Sequence, residues 1–263
     1  MHVIVCVKQV PSSNKVSLDP ITHTIIREGK SSVINPYDLF GLEQAVELKE
    51  RHGGQVSVLS MGIPDTEKLL REAISRGGDL GMLLTDRQFA GSDTLATAYT
   101  LSKGIKQLSP YHLIICGKMA IDGDTGQIGP ELAEILDLPH LSDVIEILES
   151  NENSLMCKKK TDWGTQVYKI TLPAVITLEK DINMPRLPSI EAILKSEKVE
   201  IKIMDQKALK ADPSKIGFEG SPTQVVKTFI PEKKTVVKAI QGTESQQAKE
   251  IMGLIEEVWH CQD

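Results

Sequence analysis

Aromatic residues make up only 4% of this 263-residue chain: four Phe, four Tyr and two Trp. A surface that stacks unpaired bases needs more of them, which argues against a single-strand nucleic-acid platform. The net charge of −6 points the same way, because general binding to a phosphate backbone rests on a surplus of Lys and Arg. The four cysteines, Cys6, Cys116, Cys157 and Cys261, form no CxxC pair and no zinc spacing. They read as reduced thiols of a cytoplasmic protein rather than a disulfide framework. No apolar run approaches the ~20 residues that cross a bilayer, so membrane insertion is not expected. The opening MHVIVCVKQV lacks a basic flank and reads as a first strand, not a signal peptide. GxSxG, HExxH, paired Cys–His sets and EF-hand loops are missing, and the histidines at 2, 23, 52, 112, 140 and 260 have no ligand spacing. A metal centre is therefore not expected, nor is a catalytic residue in the chain itself. Any redox chemistry would come from a bound cofactor.

What is present is an ordinary globular composition, 40% hydrophobic and 25% charged, on a chain long enough for one large core. The most informative stretch is Leu113–Glu131, LIICGKMAIDGDTGQIGPE. An apolar run, Leu113 to Cys116, breaks into a loop with Gly117, Gly123, Gly126 and Gly129. A helix follows in which Ile128, Leu132, Ile135 and Leu136 share a face. Strand, glycine loop and helix can hold an anion against free amides and a positive helix end. The spacing is neither a Walker loop nor GxGxxG, so a phosphate cradle and an ordinary βα turn both remain open. Asp122 and Asp124 resemble a carboxylate pair, but in a glycine loop they read as caps for backbone N–H groups.

In chain order, residues 2–7 form an apolar strand, with Lys8 and Gln9 at its carboxyl end, where ligands of open α/β sheets collect. Lys8 there faces either a phosphate or solvent. Val16–Leu18 and Thr24–Arg27 suggest a hairpin excursion. Asn35-Pro36 starts a helix to about His52 that ends at Gly53-Gly54, with Asn35 as its cap or turned to a ligand. Strand Gln55–Met61, a helix capped by Asp65 or Thr66, and strand Leu80–Thr85 follow. Ser92 or Asp93 then caps a third helix, whose start is rich in hydroxyls and small residues. The βαβα alternation predicts an α/β fold with a doubly wound parallel sheet. Two of its βα junctions, 89–97 and 116–127, suit phosphates. After Pro139 the segments Val144–Glu149, Ser154–Lys160 and Gln166–Thr171 predict a small antiparallel addition. Ala174–Leu178 is a further strand, and Asn183–Lys195 is a proline-interrupted loop leading to a short helix. The division is residues 1–210 as the nucleotide domain and 211–263 as an extended arm. The arm has a basic patch (Lys233, Lys234, Lys238) and a final helix over about Glu244–Trp259.

Several segments together resemble the small (beta) subunit of electron-transferring flavoproteins. They are VIVCVKQVP near the start, NPYD at 35–38, SMG at 60–62, GKMAIDGDTGQIGPE at 117–131 and NMPRLPSIEAILK at 183–195. The resemblance covers essentially the whole chain. It implies an adenine-nucleotide-binding sheet and a heterodimer with an FAD-carrying alpha subunit. It also makes 183–195 a loop that docks a flavin-dependent dehydrogenase through Pro188, Ile190, Ile193, Leu194 and Lys195. In the ordinary branch of that family the beta subunit holds AMP. In the electron-bifurcating branch it holds a second FAD, oxidises NADH and divides the electrons between ferredoxin and the dehydrogenase. DRQFAGSDTLATA (86–98) and GSPTQV (220–225) resemble the bifurcating branch.

Carried over by position, Cys6, Asn35, Asp38 and Met61 line the nucleotide pocket. Gly91, Ser92, Asp93, Thr94 and Thr97 approach the flavin and pyrophosphate. Cys116, Lys118, Ala120, Asp122, Gly123, Thr125, Gly126 and Gln127 hold the nucleotide end, with Lys8 beside them. The chain departs from the pattern at Ile190, where a leucine anchors the loop, at Glu191, where proline is common, and at Met184, where Glu is common. A universal-stress-type nucleotide module shares the general fold but leaves the 183–195 loop and the long tail unexplained.

Overall fold

The computed structural model describes residues 1–12, 32–226 and 239–260. The chain divides into two compact units, Met1–Val226 and Lys227–Asp263. The strands of the first unit are β1 (His2–Cys6), β2 (Gln9–Pro11), β3 (Ser32–Ile34), β4 (Gln55–Met61), β5 (Leu80–Leu84) and β6 (Leu113–Gly117). They continue as β7 (His140–Ser150), β8 (Ser154–Thr161), β9 (Gly164–Thr171), β10 (Ala174–Leu178) and β11 (Ile201–Met204). Its α-helices are α1 (Pro36–His52), α2 (Glu67–Ser75), α3 (Thr94–Lys106), α4 (Ile128–Leu136), α5 (Ile190–Ser196) and α6 (Gln206–Leu209).

Nine strands make one sheet in the order β11–β5–β4–β1–β6–β10–β7–β8–β9. It is parallel from β11 to β7 and antiparallel from β7 to β9. Strands buried on both faces need no polar alternation, which is why HVIVC and LIICG read as unbroken apolar runs. The period of two divides each strand between two cores. Val3, Val5 and Val7 join the core that holds Leu42, Ala45 and Val46 of α1 and Leu69, Leu70 and Ala73 of α2. Ile4 and Cys6 join the core with Ala98, Leu101 and Ile105 of α3 and Leu132 and Ala133 of α4. Helices α1 and α2 thus cover one face, and α3 and α4 the other, which makes the sheet doubly wound. Full burial of each such aliphatic side chain contributes about 1.5–3 kcal/mol, and Ile4, Leu59 and Ile114 are all fully enclosed.

The structure alters several expectations. β7 begins at His140, pairs parallel with β10 through its first part, and only then turns antiparallel to β8. It therefore belongs to both parts of the sheet, where a wholly antiparallel strand was expected. β11 adds an edge beside β5 that the sequence pattern did not single out, because IKIM is short and half exposed. A 3₁₀ turn over Pro64–Thr66 leads into α2, and neither Asp65 nor Thr66 caps that helix by its side chain. The Thr66 hydroxyl donates to Gln9 instead, at 2.6 Å. β2 and β3 pair antiparallel, a short ladder that the sequence pattern did not single out. Val16–Leu18 and Thr24–Arg27 lie outside the described residues, as do the lysines at 233, 234 and 238 and Cys261. Ala211 and Ile216 are buried in the α3–α4 core, so residues 211–226 pack with the first unit.

In the second unit, α7 (Glu244–His260) opens on Thr243, whose N–H donates to the Gln246 side-chain Oε1 at 2.9 Å, half of a capping box.

Candidate functional site

The chain winds outward from β1 through β4 to β5, then returns to the other side of β1 as β6. The carboxyl ends of β1 and β6 therefore flank the point where the winding reverses, the usual crevice of an open α/β sheet. Asp38, in the first turn of α1, reaches into this crevice. Its carboxylate accepts from the Lys8 N–H at 2.7 Å and the Gly117 N–H at 3.2 Å, tying the two strand ends together. The approach is close enough that a Cβ on Gly117 would run into Asp38 and Tyr37, so glycine is required there. Burial pushes the Asp38 carboxyl up from 3.8 to about 7, against the pull of its hydrogen bonds. Cys6 and Cys116 are partners in register on β1 and β6 and lie in the core below the crevice, with Met61 packed against the same cluster. A hydrogen bond to Cys6, and then burial, push the Cys116 thiol well above its usual range. It is a packed neutral thiol, not a nucleophile.

Asn35 precedes α1 but does not cap it. Only 1% exposed, its amide donates to the Met119 carbonyl at 2.9 Å and accepts from the Ile121 N–H at 3.2 Å. It fixes the start of the glycine loop. Ala120 continues this anchoring by accepting from the Gly123 and Asp124 N–H groups. Beyond that turn, the exposed amides of Thr125, Gly126 and Gln127 make no hydrogen bond among the described residues, and they lead straight into α4. Free donors at a helix start fit a phosphate.

The flanking cations are committed elsewhere. Lys8 pairs with Asp122 at 2.7 Å, so Asp122 is an ion-pair partner rather than the backbone cap expected of it. Lys118 pairs with Glu179 at 2.7 Å and Asp143 at 3.2 Å. The Lys8 pair is exposed enough that exchanging its carboxylate for a ligand phosphate costs only ~0–1 kcal/mol. The Lys118 cluster is more enclosed, with Glu179 91% buried. Its hydrogen bond to Glu179, and then the Asp143 carboxylate, hold the ammonium pKa above its usual range.

The second junction lies beside the first. The Thr94 hydroxyl stands 3.1 Å from the Gln127 side chain and 3.0 Å from Glu131, joining the starts of α3 and α4. Glu131 keeps one buried carboxylate oxygen without a partner among the described residues, and burial raises its pKa. Asp93 caps α3 through the Ala96 N–H at 3.1 Å. It also accepts from the Thr223 N–H and hydroxyl. Burial raises its pKa, but these donors win and hold it below the carboxylate range. The Asp93 N–H donates to Ser221 at 2.8 Å, and Ser92 accepts from Gly217. Gly91 adopts φ 76° with Phe218 lying against it, so a side chain there would strike the ring. The Ser92, Asp93, Ala96 and Thr97 amides of this helix start are thus already bonded, to Phe89, Ser221 and Asp93. Thr97, partly exposed on the first turn of α3, makes no side-chain bond among the described residues.

In the 183–195 segment, Met184, Leu187, Ile190, Ile193 and Leu194 all project into solvent, and Ile190 is 79% exposed. Ser189 caps α5 by accepting from Ala192 at 3.1 Å. Pro188 leads into this cap, and Lys195 ends the apolar surface. The sequence did not single out Glu43, Arg71, Glu179 or Asp143. Glu43 and Glu179 find their partners 61 or more positions away, Arg71 reaches carbonyls 125 positions on, Asp143 sits 25 from Lys118, and no local pattern announces such contacts.

An electron transfer flavoprotein domain model matches residues 22–209, more than half of the chain. An electron transfer flavoprotein subunit beta of Thermoanaerobacterium thermosaccharolyticum is 44% identical over 232 residues, 88% of each chain. Another of the same name, from Clostridium acetobutylicum, is 39% identical over 257 residues, 98% of each chain. A caffeyl-CoA reductase-Etf complex subunit CarD of Acetobacterium woodii is 38% identical over 244 residues, 92% of this chain and 93% of its own. A doubly wound sheet with a glycine-loop crevice and near-full-length likeness to these subunits leads to one assignment: the chain belongs to the electron transfer flavoprotein family, as a beta subunit.

Proposed function

We propose that this subunit, paired with an alpha subunit that carries an FAD, binds a second FAD and NADH in the cytoplasm. The complex divides electrons between ferredoxin and a flavin dehydrogenase. The observation behind this reading is the meeting of Thr94 with Gln127, which makes one cradle of two helix starts. A dinucleotide has a pyrophosphate to engage both, whereas AMP has one phosphate for one of them. The free amides of Thr125, Gly126 and Gln127 hold the phosphate end, and the Thr94 and Thr97 hydroxyls donate to the rest. Asp38 and Asn35 hold strand ends and loop in place. The bound flavin supplies the electron chemistry, and no side chain of this subunit has to react. Segment 183–195 docks the dehydrogenase, and the C-terminal arm packs on the alpha subunit. The name of the Acetobacterium woodii relative supports an enoyl-CoA-type reductase among the partner classes, beside acyl-CoA and lactate dehydrogenases.

One observation favours a second reading, a conventional carrier with AMP. The Asp93 and Ala96 amides of α3 are bonded within the chain, which leaves fewer donors for a second phosphate. Acid extraction and chromatography of the purified heterodimer separate the two. Two FAD and no AMP per dimer support bifurcation; one FAD and one AMP overturn it. Thr94→Val with Thr97→Val is expected to lower beta-flavin occupancy while the alpha FAD stays, and unchanged flavin content would remove the role given to these hydroxyls.

A further inference from the structure

Helix α5 is built inside out. Its large apolar side chains, Ile190, Ile193 and Leu194, face solvent, while small Ser196 is buried and Ala192 half-buried. A seven-residue helix has no stability of its own in water, and this one gains little from burying its apolar residues. Something else must hold it. Arg71, on α2, supplies that hold. Its Nη1 lies 2.9, 3.0 and 3.2 Å from the carbonyl oxygens of Ser196, Glu197 and Val199, at the carboxyl end of α5. A cation there meets the negative helix end and its last carbonyls, of which Ser196 also accepts from the Val199 N–H at 3.2 Å. Glu67, one turn earlier on α2, braces the guanidinium through Nε at 3.1 Å and Nη2 at 2.6 Å. At the other end of the segment, Arg186 donates its own N–H to Glu43 at 2.9 Å, and its guanidinium bridges Glu43 and Glu50.

We propose that Arg71 and Glu43 are positioning residues that hold segment 183–199 in its docking-ready form, so that a flavin dehydrogenase with an apolar pocket meets a finished surface. The proposal rests on the reading of 183–195 as the docking segment. Neither residue touches the partner; each acts through the backbone it holds. If loss of the Arg71 clamp leaves a tenth of the molecules docking-ready, apparent affinity for the partner falls about tenfold while the bound complex reacts as before.

The test uses the full heterodimer. The probe is whichever of an acyl-CoA, an enoyl-CoA-reducing and a lactate dehydrogenase couples fastest with the wild-type complex. Arg71→Met keeps most of the aliphatic stem and removes the donors. It is expected to raise KM for the dehydrogenase about tenfold at unchanged kcat and flavin content. Amide exchange should accelerate over 189–199 only, and Arg71→Lys should recover part of the KM. Glu43→Gln should move KM in the same direction. A wild-type KM in Arg71→Met, alongside a raised KM in Ile190→Asp, would overturn the positioning role and leave the docking reading standing. Wild-type coupling in Ile190→Asp, or no coupling with any of the three enzymes, would overturn both.

Discussion

Asp38 should make the stability of this fold fall as pH rises from about 4 towards neutrality. The unfolded chain gives up the Asp38 proton near 3.8, the folded chain near 7. Between these values the folded state binds more protons than the unfolded one, so unfolding free energy declines with rising pH and levels off above about 7. At ~1.4 kcal/mol per pH unit, the whole interval is worth about 4 kcal/mol. Opposing this are the Asn35 side chain and the Lys8 and Gly117 amides, which favour the ionised carboxylate. Asp38→Asn removes the titration and retains one acceptor. Denaturant unfolding of wild type and Asp38→Asn, at matched protein concentration from pH 4.5 to 8.5, isolates this group. Wild type should lose stability relative to the variant by roughly 2–4 kcal/mol across that range, chiefly below pH 7. A difference that is flat, or that grows in favour of wild type as pH rises, would refute the reasoning. It would mean that the two strand-end amides outweigh burial and keep Asp38 ionised throughout.

Gly117→Ala places a methyl against Asp38 and the Tyr37 backbone, which cannot yield as a flexible side chain would. It is expected to cost about 1–3 kcal/mol in thermal or denaturant unfolding and to lower nucleotide content of the heterodimer. Lys118→Met leaves Glu179 and Asp143 facing one another without a cation. Because the cluster is partly open to water, the expected loss is about 1–3 kcal/mol, smaller than for a fully enclosed pair. Adding Glu179→Gln should recover part of it, and a double mutant no more stable than Lys118→Met would count against this pairing.

The element order was legible in the sequence because its causes are local. Unbroken apolar runs such as Val3–Val7 and Leu113–Cys116 are what doubly buried parallel strands require. Asn35-Pro36 and Gly53-Gly54 bracket α1 by backbone preference alone. The glycine loop and the 183–195 segment were likewise recognisable as text. What each polar side chain meets was not legible. Asn35 looked like a helix cap and instead holds a loop 84 positions away. Lys8 faced either phosphate or solvent by its place on β1, and folding gave it Asp122, 114 positions on. The helix start at 91–97 looked like free donors for a ligand, yet Ser221 returns across 128 positions to accept the Asp93 N–H, and Thr223 donates to the Asp93 carboxylate. Arg71 gave no local sign of its role at the end of α5, 125 positions later. Apolar periodicity is set by the geometry of a few adjacent residues, so sequence alone determines which segments are strands and helices. Pairing of buried polar groups is set by which distant segments folding brings within 3 Å, and only the tertiary structure decides that.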